Sequence, residues 1–493
     1  MLKTISKNST STNFFKTVHC SIVHKNDQKY ILLDSLSCSA WLYCQRLLNT
    51  LQVNTIINLI KKLLRRSKPN KLTIASEHVI PRDQHHVSKT DISANALKVL
   101  NRLNSAGFQA YLVGGSVRDL LLRKAPKDFD VATNATPNQI KNLFRNARII
   151  GRRFKLAHIL YHRDIIEVAT FRGNEANEAV DEKQQTNDRG MLIRDNVYGT
   201  LEQDAWRRDF TINSLYYTME DGSIVDFTGG FNDVKLRLIR MIGDPTTRYQ
   251  EDPVRMLRAV RFSAKLNFEI EQETAKPLPE LSGLISHVSG SRLFDEMTKL
   301  YQCGAAESVQ RLLVKYGLFF HLFPQTSQLL NSSYPVNALL INALESTDTR
   351  IRESKPVNPA FVYAIILWFP LIVRAEALRN EGMDPLPALE KAMSQVISEQ
   401  NKIVTIPKRF TQIMREIWLL QYRFPKRSGV RAYHVLEHPR FRAAYDFLAL
   451  RALAGDESMD LAHWWTTFQD VDAEEKTNII AQLTPTTSKK SKG

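Results

Sequence analysis

The sequence predicts an α+β protein in which a small mixed-sheet head precedes a long, all-helical neck, body and tail region. Strand-like and helix-like segments alternate between residues 93 and 228, whereas nearly every segment beyond about residue 235 has helical periodicity. The chain has 493 residues, of which 43% are hydrophobic and 24% charged, as in globular proteins of about three domains.

Composition limits the classes of function. The chain has 67 Lys and Arg against 51 Asp and Glu, a net charge of +16, which favours polyanionic partners such as nucleic acid, nucleotides or an anionic membrane surface. A basic protein with dispersed charge is the alternative. No run of 18 apolar residues occurs, so no integral membrane segment is predicted. Four cysteines in 493 residues indicate a reducing compartment, for which we expect the cytoplasm, and the absence of a CxxC motif argues against a structural zinc site.

Residues 1–75 are predicted to be a divergent, poorly ordered N-terminal extension. Within it, NTIINLIKKLLRR at 54–66 is a basic amphipathic stretch that could make peripheral contact with a membrane surface. It lacks the uninterrupted apolar core of a signal peptide. An over-long reading frame is a further interpretation of residues 1–50.

The head, residues 76–235, is predicted from local signals. A helix begins near Ser93 and stops at Gly107, and a Thr136 capping box starts another at 137–147. Strands are predicted for QAYLVGG, KDFDVAT and SIVDFTGG and for the hairpin 154–161 and 165–171. SVRDLLLRK and RRDFTINSLYY are predicted to be helical, and the polar residues 173–200 to form a mobile loop.

Three further regions follow the head. We expect a helical neck at 236–300 with a nucleobase-reading helix, an RNA-binding helical body and tail at 301–478, and a disordered basic tail at 479–493.

Asp128 and Asp130 are two residues apart on a predicted strand, so their side chains should project from one face. Carboxylates this close repel each other unless a cation lies between them, and Mg²⁺ commonly uses one or two carboxylates with substrate phosphates. Glu167, within an apolar strand, could complete a two-metal site. The alternatives are two solvated aspartates and a Glu167 paired with an arginine.

A Gly114-Gly115-Ser116 turn joins a strand to a helix, where backbone N–H groups and the helix N-terminus favour a triphosphate. On its own this turn is weak evidence, and the chain has no P-loop and no GxGxxG motif.

Arginines accompany carboxylates in two later segments. Arg207-Arg208-Asp209 is predicted to open a helix, and Asp252 to cap another that presents Arg255, Arg258 and Arg261 at intervals of three. Arginine forks can bind phosphate or a base edge. A solvated cationic stripe with a local Asp252–Arg255 pair is the alternative.

Residues 401–442 are basic, with Trp418, Tyr422 and Phe424 interleaved, which suits single-stranded RNA. The alternative is that these aromatic side chains belong to the helical core. The candidate RNA-binding residues are Lys408, Arg409, Arg423, Lys426, Arg427 and Arg431.

Six ordered motifs resemble those of the class II template-independent nucleotidyltransferases, the family of bacterial poly(A) polymerases and CCA-adding enzymes. They are LVGGSVRDLLL, KDFDVAT, EVATFR, RRDFTINSLYY, DFTGG and EDPVRMLRAVRF, and the resemblance covers about residues 78–475. IIGRRFKLAH at 149–158 resembles the stretch that marks the poly(A) polymerase branch.

The resemblance implies a polymerase-beta-like nucleotidyltransferase head, two Mg²⁺ ions, ATP as substrate and RNA 3′ ends as partner. It implies a monomeric enzyme that adds AMP repeatedly and promotes RNA decay, with RNA-decay proteins as possible partners. A CCA-adding enzyme and a non-catalytic RNA-binding protein are the alternatives.

The resemblance also assigns roles to individual residues. Asp128 and Asp130 resemble the metal-binding carboxylates, and Glu167 the third catalytic acid. The residues that resemble nucleotide-binding positions are Gly114, Gly115, Ser116, Arg118, Arg208, Asp209, Asp252, Arg255, Arg258 and Arg261.

Overall fold

The computed structural model describes residues 19–25, 28–34, 75–151, 155–162, 164–173, 185–186, 192–194 and 197–483. The chain forms two units, Met1–Ile74 and Ala75–Gly493. In the first unit, strands β1 (His19–Lys25) and β2 (Gln28–Asp34) pair antiparallel, a hairpin that the sequence did not predict. The basic amphipathic stretch 54–66 lies outside the described residues.

An eight-stranded mixed sheet forms the head of the second unit. Its strands lie in the order β3-β12-β11-β4-β5-β8-β7-β6, and β5 with β8 is its parallel pair. Their bounds, with those of the separate pair β9–β10, are β3 (Val79–Ile80), β4 (Ala110–Val113), β5 (Asp130–Thr133), β6 (Ala147–Ile150), β7 (Leu156–Tyr161), β8 (Asp164–Thr170), β9 (Gln185–Thr186), β10 (Leu192–Arg194), β11 (Leu215–Thr218) and β12 (Ile224–Asp226). Most of the predicted loop 173–200 lies outside the described residues.

Among the described residues of the head, five helices accompany the sheet: α1 (Ala94–Ser105), α2 (Gly115–Leu121), α3 (Pro137–Leu143), α4 (Leu201–Arg207) and α5 (Gly230–Leu236). The predicted starts of α1 and α3 are confirmed, because the Ser93 side chain accepts from the Ala96 N–H and Thr136 forms a capping box with Gln139. Helix α3 ends four residues earlier than predicted, since residues 147–150 enter the sheet as β6.

The helix predicted for RRDFTINSLYY is wrong. Arg208 follows the last turn of α4 instead of opening a helix, residues 211–213 form a single 3₁₀ turn, and β11 begins at Leu215. A short apolar run can fit either period. Here burial decides, because Tyr216 and Tyr217 are both essentially fully buried within the sheet.

Helices dominate the rest of the chain, which confirms the predicted α+β class. The exception is a two-residue parallel pair within the predicted all-helical neck, β13 (Leu238–Ile239) and β14 (Glu269–Ile270). The helices are α6 (Pro245–Glu251), α7 (Val254–Leu266), α8 (Gln272–Ala275), α9 (Leu278–Leu281), α10 (Gly290–Tyr301), α11 (Ala306–Lys315), α12 (Leu318–Leu322), α13 (Pro324–Ser327), α14 (Val336–Arg352), α15 (Pro359–Ile366), α16 (Trp368–Asn380), α17 (Pro385–Asn401), α18 (Lys408–Arg423), α19 (Val430–Leu436), α20 (Phe441–Leu453), α21 (Met459–Asp470) and α22 (Ala473–Ala481).

Helix α22 extends past residue 478, so the predicted start of the disordered tail at 479 is wrong for its first residues, and residues 484–493 lie outside the described range. Among the described helices, none alone is long and apolar enough to cross a membrane. Only α15 and α16 taken together, with a 50° bend between them, reach that length and composition.

Candidate active site

A polar cleft of about 720 Å³ lies between the sheet and the first neck helices. It brings together side chains from β5, β7 and β8, from the end of α4, and from α6, α7 and α10. Its lining is Val113, Asp130, Val131, Leu156, Glu167, Ala169, Arg172, Asp204, Trp206, Arg207, Arg208, Asp209, Arg248, Glu251, Asp252, Val254, Arg255, Arg258, Arg292 and Glu296.

Asp130 and Glu167 face each other across the parallel pair, because their Cα atoms are register partners on β5 and β8. Burial, together with the negative charges of Glu167 and Asp128, raises the pKa of Asp130 to about 6, although the nearby positive charge of Arg208 lowers it. A cation bound beside Asp130 would stabilise its ionised carboxylate and so offset the cost of burial and of the neighbouring negative charges. Carboxylate oxygens are the ligands that Mg²⁺ prefers, so these residues fit that ion chemically.

Asp128 does not share a strand with Asp130. It is exposed, lies two residues before β5 begins, and is not among the side chains that line the cleft. The strand that the alternation argument assumes therefore begins at Asp130 and does not include Asp128, although the charge of Asp128 still acts on Asp130 and raises its pKa. Among the described residues, no group of three His, Cys, Asp or Glu side chains could hold a metal ion, so the predicted trio is not assembled into a closed site.

Glu167 lies on the cleft face of β8, and its side chain is 48% exposed. Its neighbours Ile166 and Val168 point into the core, as the two-residue alternation of a strand requires. Its Oε1 lies 3.2 Å from Nε2 of His158, the register partner on β7. The expectation of a core carboxylate is therefore wrong, and the partner is a histidine instead of an arginine.

The glycine turn between β4 and α2 is fixed by hydrogen bonds to other parts of the head. The Gly114 N–H donates to the Leu215 carbonyl at 3.1 Å, and the buried Ser116 hydroxyl donates to the Val113 carbonyl at 3.0 Å. Gly114 has φ +73, and a Cβ there would lie 3.4 Å from the Asn213 carbonyl oxygen. Gly114, Gly115 and Ser116 are not among the residues that line the cleft, and their triphosphate role remains a prediction.

Arg118 also lies outside the cleft lining, with its side chain 4% exposed. Its Nη1 donates to Asn213 Oδ1 at 2.6 Å, and its Nε and Nη2 donate to Asp119 Oδ1 at 2.8 and 2.7 Å. The placement ties α2 to the 211–213 turn and does not support direct nucleotide contact.

Arg208 and Asp209 both reach the cleft. Arg208 donates to the Tyr216 hydroxyl at 2.8 Å and to Asp204 Oδ2 at 3.0 Å; burial opposes its charge, but these two partners raise its pKa. Asp209 Oδ2 accepts from Arg258 Nε at 2.6 Å. Although burial would raise the pKa of Asp209, the Arg258 charge outweighs it and lowers that pKa.

Asp252 and Arg255 have different partners from those expected. Both oxygens of Asp252 accept from the Arg292 fork, at 2.8 and 2.7 Å, whereas Arg255 donates to Glu251 Oε2 and the Arg248 carbonyl, both at 2.7 Å. The alternative of a local Asp252–Arg255 pair is therefore not what the structure forms. The N-cap of α7 is Pro253, one residue later than predicted.

The arginine stripe on α7 is divided. Arg255 and Arg258 line the cleft, but Arg261 does not. Each three-residue step turns a helix by about 60° short of a full circle, so the third arginine points elsewhere. Its Nε is buried without a hydrogen-bond partner among the described residues, and its Cζ lies 4.9 Å from the Phe262 ring centre.

Sequence reasoning missed several cleft residues, among them Arg248, Arg292 and Trp206. Arg248 donates to the carbonyls of Arg207 and Arg208 at 2.7 Å, linking α6 to the end of α4. Arg292 stands on α10, outside every recognised motif, and only the fold brings it to Asp252. Trp206 directly precedes RRD, where a lone aromatic residue in a charged segment was an available signal.

The candidate RNA-binding side chains are exposed, except for Arg427, which is partly buried. Lys426 Nζ lies 3.5 Å from the Tyr422 ring centre, and Arg427 Cζ lies 5.1 Å from that of Trp464. Trp418 and Phe424 are fully buried, so the core alternative holds for these two aromatic residues.

Models of known protein families match most of the second unit, Ala75–Gly493. The model "Poly A polymerase head domain" matches residues 110–240, "Probable RNA and SrmB- binding site of polymerase A" matches 267–330, and "Polymerase A arginine-rich C-terminus" matches 381–493. The solved CCA-adding enzyme of Thermotoga maritima in complex with tRNA is 19% identical with a TM-score of 0.53, covering 79% of this chain and 87% of its own, which supports the fold.

Curated relatives give the finer assignment. Poly(A) polymerase I of Salmonella typhi is 48% identical over 437 residues, covering 87% of this chain and 94% of the relative. The same enzyme of Escherichia coli O6:H1 is 50% identical over 82% of this chain and 88% of the relative. A CCA-adding enzyme of Bacillus velezensis is more distant, at 33% identity over 62% of this chain and 71% of its own. The chain therefore belongs to the poly(A) polymerase family.

Proposed function

We propose that this chain adds AMP from ATP to RNA 3′ ends without a template. The observation that carries the proposal is the cleft in which Asp130 and Glu167 stand beside a set of arginine–carboxylate pairs. Carboxylates that bind divalent cations suit the phosphate end of a nucleotide, because the cations bridge the two sets of negative charge, and the arginine–carboxylate pairs suit the base end. The names of the relatives at 48 and 50% identity support polyadenylation over CCA addition.

The carboxylates provide the reaction end of the cleft. Asp130 and Glu167 in the cleft, joined by Asp128 from the segment just before β5, would hold two Mg²⁺ ions once the nucleotide supplies the remaining ligands. When bound, these ions would acidify the RNA 3′-hydroxyl and neutralise the leaving pyrophosphate. His158 lies beside Glu167 on the neighbouring strand, with its Nε2 3.2 Å from Glu167 Oε1. No covalent intermediate on the protein is needed, because the 3′-hydroxyl attacks the α-phosphorus directly.

The neck provides the choice of base. The Arg292 fork fixes Asp252, and Glu251 fixes Arg255, so the hydrogen-bonding groups are oriented before ATP arrives. Arg258 is fixed by Asp209 in the same way. A base that cannot satisfy these groups leaves buried polar atoms unpaired, and this penalty is the basis of selection without a template.

RNA upstream of the 3′ end would follow the basic surface of α18 and the segment after it. The exposed side chains of Lys408, Arg409, Arg423, Lys426 and Arg431 can contact phosphates without regard to sequence. The family match at 267–330, whose description names RNA, supports an RNA substrate. We further propose that the chain is a monomer whose tails promote RNA decay. We also propose that it acts in the cytoplasm, a reducing compartment that fits its four cysteines.

The test is incubation of the purified chain with a generic RNA and each NTP separately. Long tails from ATP alone are expected. Incorporation of CTP into tRNA that lacks its terminus would indicate a CCA-adding enzyme, and no incorporation of any NTP would indicate a non-catalytic RNA-binding protein. Asp128→Ala should abolish addition while RNA binding remains nearly intact, and normal tailing by that variant would refute the assignment of the carboxylates.

A further inference from the structure

Trp206, on α4, presents a free aromatic face to the cleft. It lines the same cavity as Asp130 and Glu167, and 49% of its surface is exposed. Its position in the helix explains this exposure, since Leu201 and Ala205 of the same helix are buried. An indole left in water at a catalytic cleft forgoes the burial that normally stabilises this side chain.

The other described tryptophans all have partners. Trp368, Trp418 and Trp465 donate their indole N–H to Asp456, to the Ala364 carbonyl and to the Phe424 carbonyl, at 2.9, 3.0 and 3.2 Å. Trp464 stacks on Phe468 with ring centres 4.7 Å apart. Among the described residues, the Trp206 indole neither donates a hydrogen bond nor contacts another ring, so its face is available to a ligand.

Polyadenylation joins two nucleotides, so the cleft must hold two bases: the base of the incoming ATP and the base at the 3′ end of the RNA. The incoming base is selected, which requires hydrogen-bonding groups at its edge, and the neck supplies these through Asp252 and Arg255. The base already at the RNA 3′ end is not selected, because any RNA must be extended. Stacking suits that second base, since every base has a π-face and base–aromatic stacking tolerates all sequences.

The surroundings of Trp206 fit a nucleic acid strand. Arg172 and Arg207 line the same cleft, and Arg207 donates to the Gly173 carbonyl, which places its charge beside the end of β8. An aromatic ring that shares a cleft with guanidinium groups suits single-stranded RNA, in which bases stack on rings and phosphates bind cations.

We propose that Trp206 is the stacking platform for the base at the 3′ end of the RNA that is extended. The inference rests on the proposed function and assigns the RNA 3′-terminal subsite of that same cleft. It places the unselected base on the side of α4 and the selected base on the side of α6, α7 and α10.

Steady-state kinetics of Trp206→Ala tests the proposal. Loss of one base–aromatic stack, worth about 1–3 kcal/mol, should raise the KM for RNA by a factor of about 5 to about 150. The rise should be similar for RNAs that end in any of the four nucleotides, and the KM for ATP should not change. Trp206→Phe, which keeps a ring, should recover most of the loss.

Leu236→Ala is the matched control, because Leu236 is 57% exposed at the end of α5 and does not line the cleft. It should behave as the unmodified chain. An unchanged KM for RNA in Trp206→Ala would overturn the proposal, and so would a rise confined to the KM for ATP, which would place the incoming adenine on this ring.

A binding measurement without ATP separates this inference from the proposed function. Oligo(A) should quench the tryptophan emission of the unmodified chain more strongly than that of Trp206→Phe, whether or not AMP is added. Equal quenching in both proteins would overturn the platform. A chain that shows the differential quenching but adds no AMP would overturn the proposed function alone.

Discussion

Asp130 illustrates, at the scale of one residue, how a catalytic cleft opposes folding stability. Its pKa is raised from 3.8 to about 6 by burial and by the charges of Glu167 and Asp128. For an acid, a raised folded-state pKa means that folding favours the protonated form. The loss of folding stability that comes from ionising this buried carboxylate is absent below about pH 4 and fully present above about pH 6.

We therefore expect Asp130→Asn to stabilise the chain at pH 7.5 in EDTA, by up to about 3 kcal/mol, the value that corresponds to the rise in pKa. At pH 4 the gain should vanish. Urea unfolding at both pH values measures it, and the exposed Asp470→Asn should have little effect at either. Equal stabilisation by Asp130→Asn at both pH values would contradict the electrostatic explanation.

Arg292 is a second residue whose effect can be isolated. Arg292→Lys keeps the charge but loses the fork that holds both oxygens of Asp252. We expect kcat/KM for ATP to fall by about tenfold or more, since hydrogen bonds to charged groups are worth about 1.5–3 kcal/mol. Selection of ATP over CTP should weaken.

The control for Arg292→Lys is Arg374→Lys, because Arg374 contacts Glu399 at 3.2 Å on the surface of the helical region. It should leave ATP kinetics unchanged. If both substitutions have the same effect, the fork is not what orients Asp252.

At the scale of elements, α10 must approach the 403–405 segment closely for Arg292 to reach the cleft. A Cβ on Gly290, at the start of α10, would lie 2.9 Å from the Thr405 backbone nitrogen and 3.0 Å from the Ile403 carbonyl oxygen. Glycine is therefore required by the close approach of two backbones.

Gly290→Ala should displace α10, lower the free energy of unfolding by about 1–3 kcal/mol and raise the KM for ATP. Thermal unfolding and ATP kinetics check the two effects. Gly283→Ala is the matched control, since its new Cβ would meet nothing closer than 3.6 Å. Normal ATP kinetics in Gly290→Ala would show that α10 tolerates displacement.

Elements also show what local sequence can predict. The Ser93 and Thr136 caps were predictable because capping is local. The start of β5 was not, because it depends on pairing with β4 and β8, which are distant in the chain. The same limit applies to Asp252, whose partner Arg292 is 40 residues away, and to Arg261, which shares the spacing of Arg258 but not its environment.

At the scale of the whole molecule, RNA affinity and base selection belong to different surfaces that differ in charge. The basic residues of α18 and the segment after it act through phosphates, whereas the cleft acts on one base. The RNA-binding surface was predicted from the density of basic residues in the segment, and that density does not depend on where each helix begins or ends. The aromatic part of that prediction depended on burial, and there Trp418 and Phe424 proved to be core.

Replacing Lys426 and Arg431 by Gln should weaken the binding of all RNA sequences equally. For single strands, the slope of log K against log salt should decrease by about 0.7 for each phosphate that is no longer neutralised by a basic side chain. Filter binding at several salt concentrations measures this slope. The KM for ATP should stay the same, and a weakening restricted to particular RNA sequences would contradict a phosphate role.

The lining of the cleft contains seven arginines and seven carboxylates, although the chain as a whole carries +16. The chamber is thus close to electroneutral, and its interior offers an anion little long-range attraction. A highly charged nucleotide entering without counterions would disturb this balance, whereas one that brings its own cations would preserve it. Capture from solution then falls to the outer basic surfaces, and pyrophosphate would encounter no surplus positive charge to delay its departure.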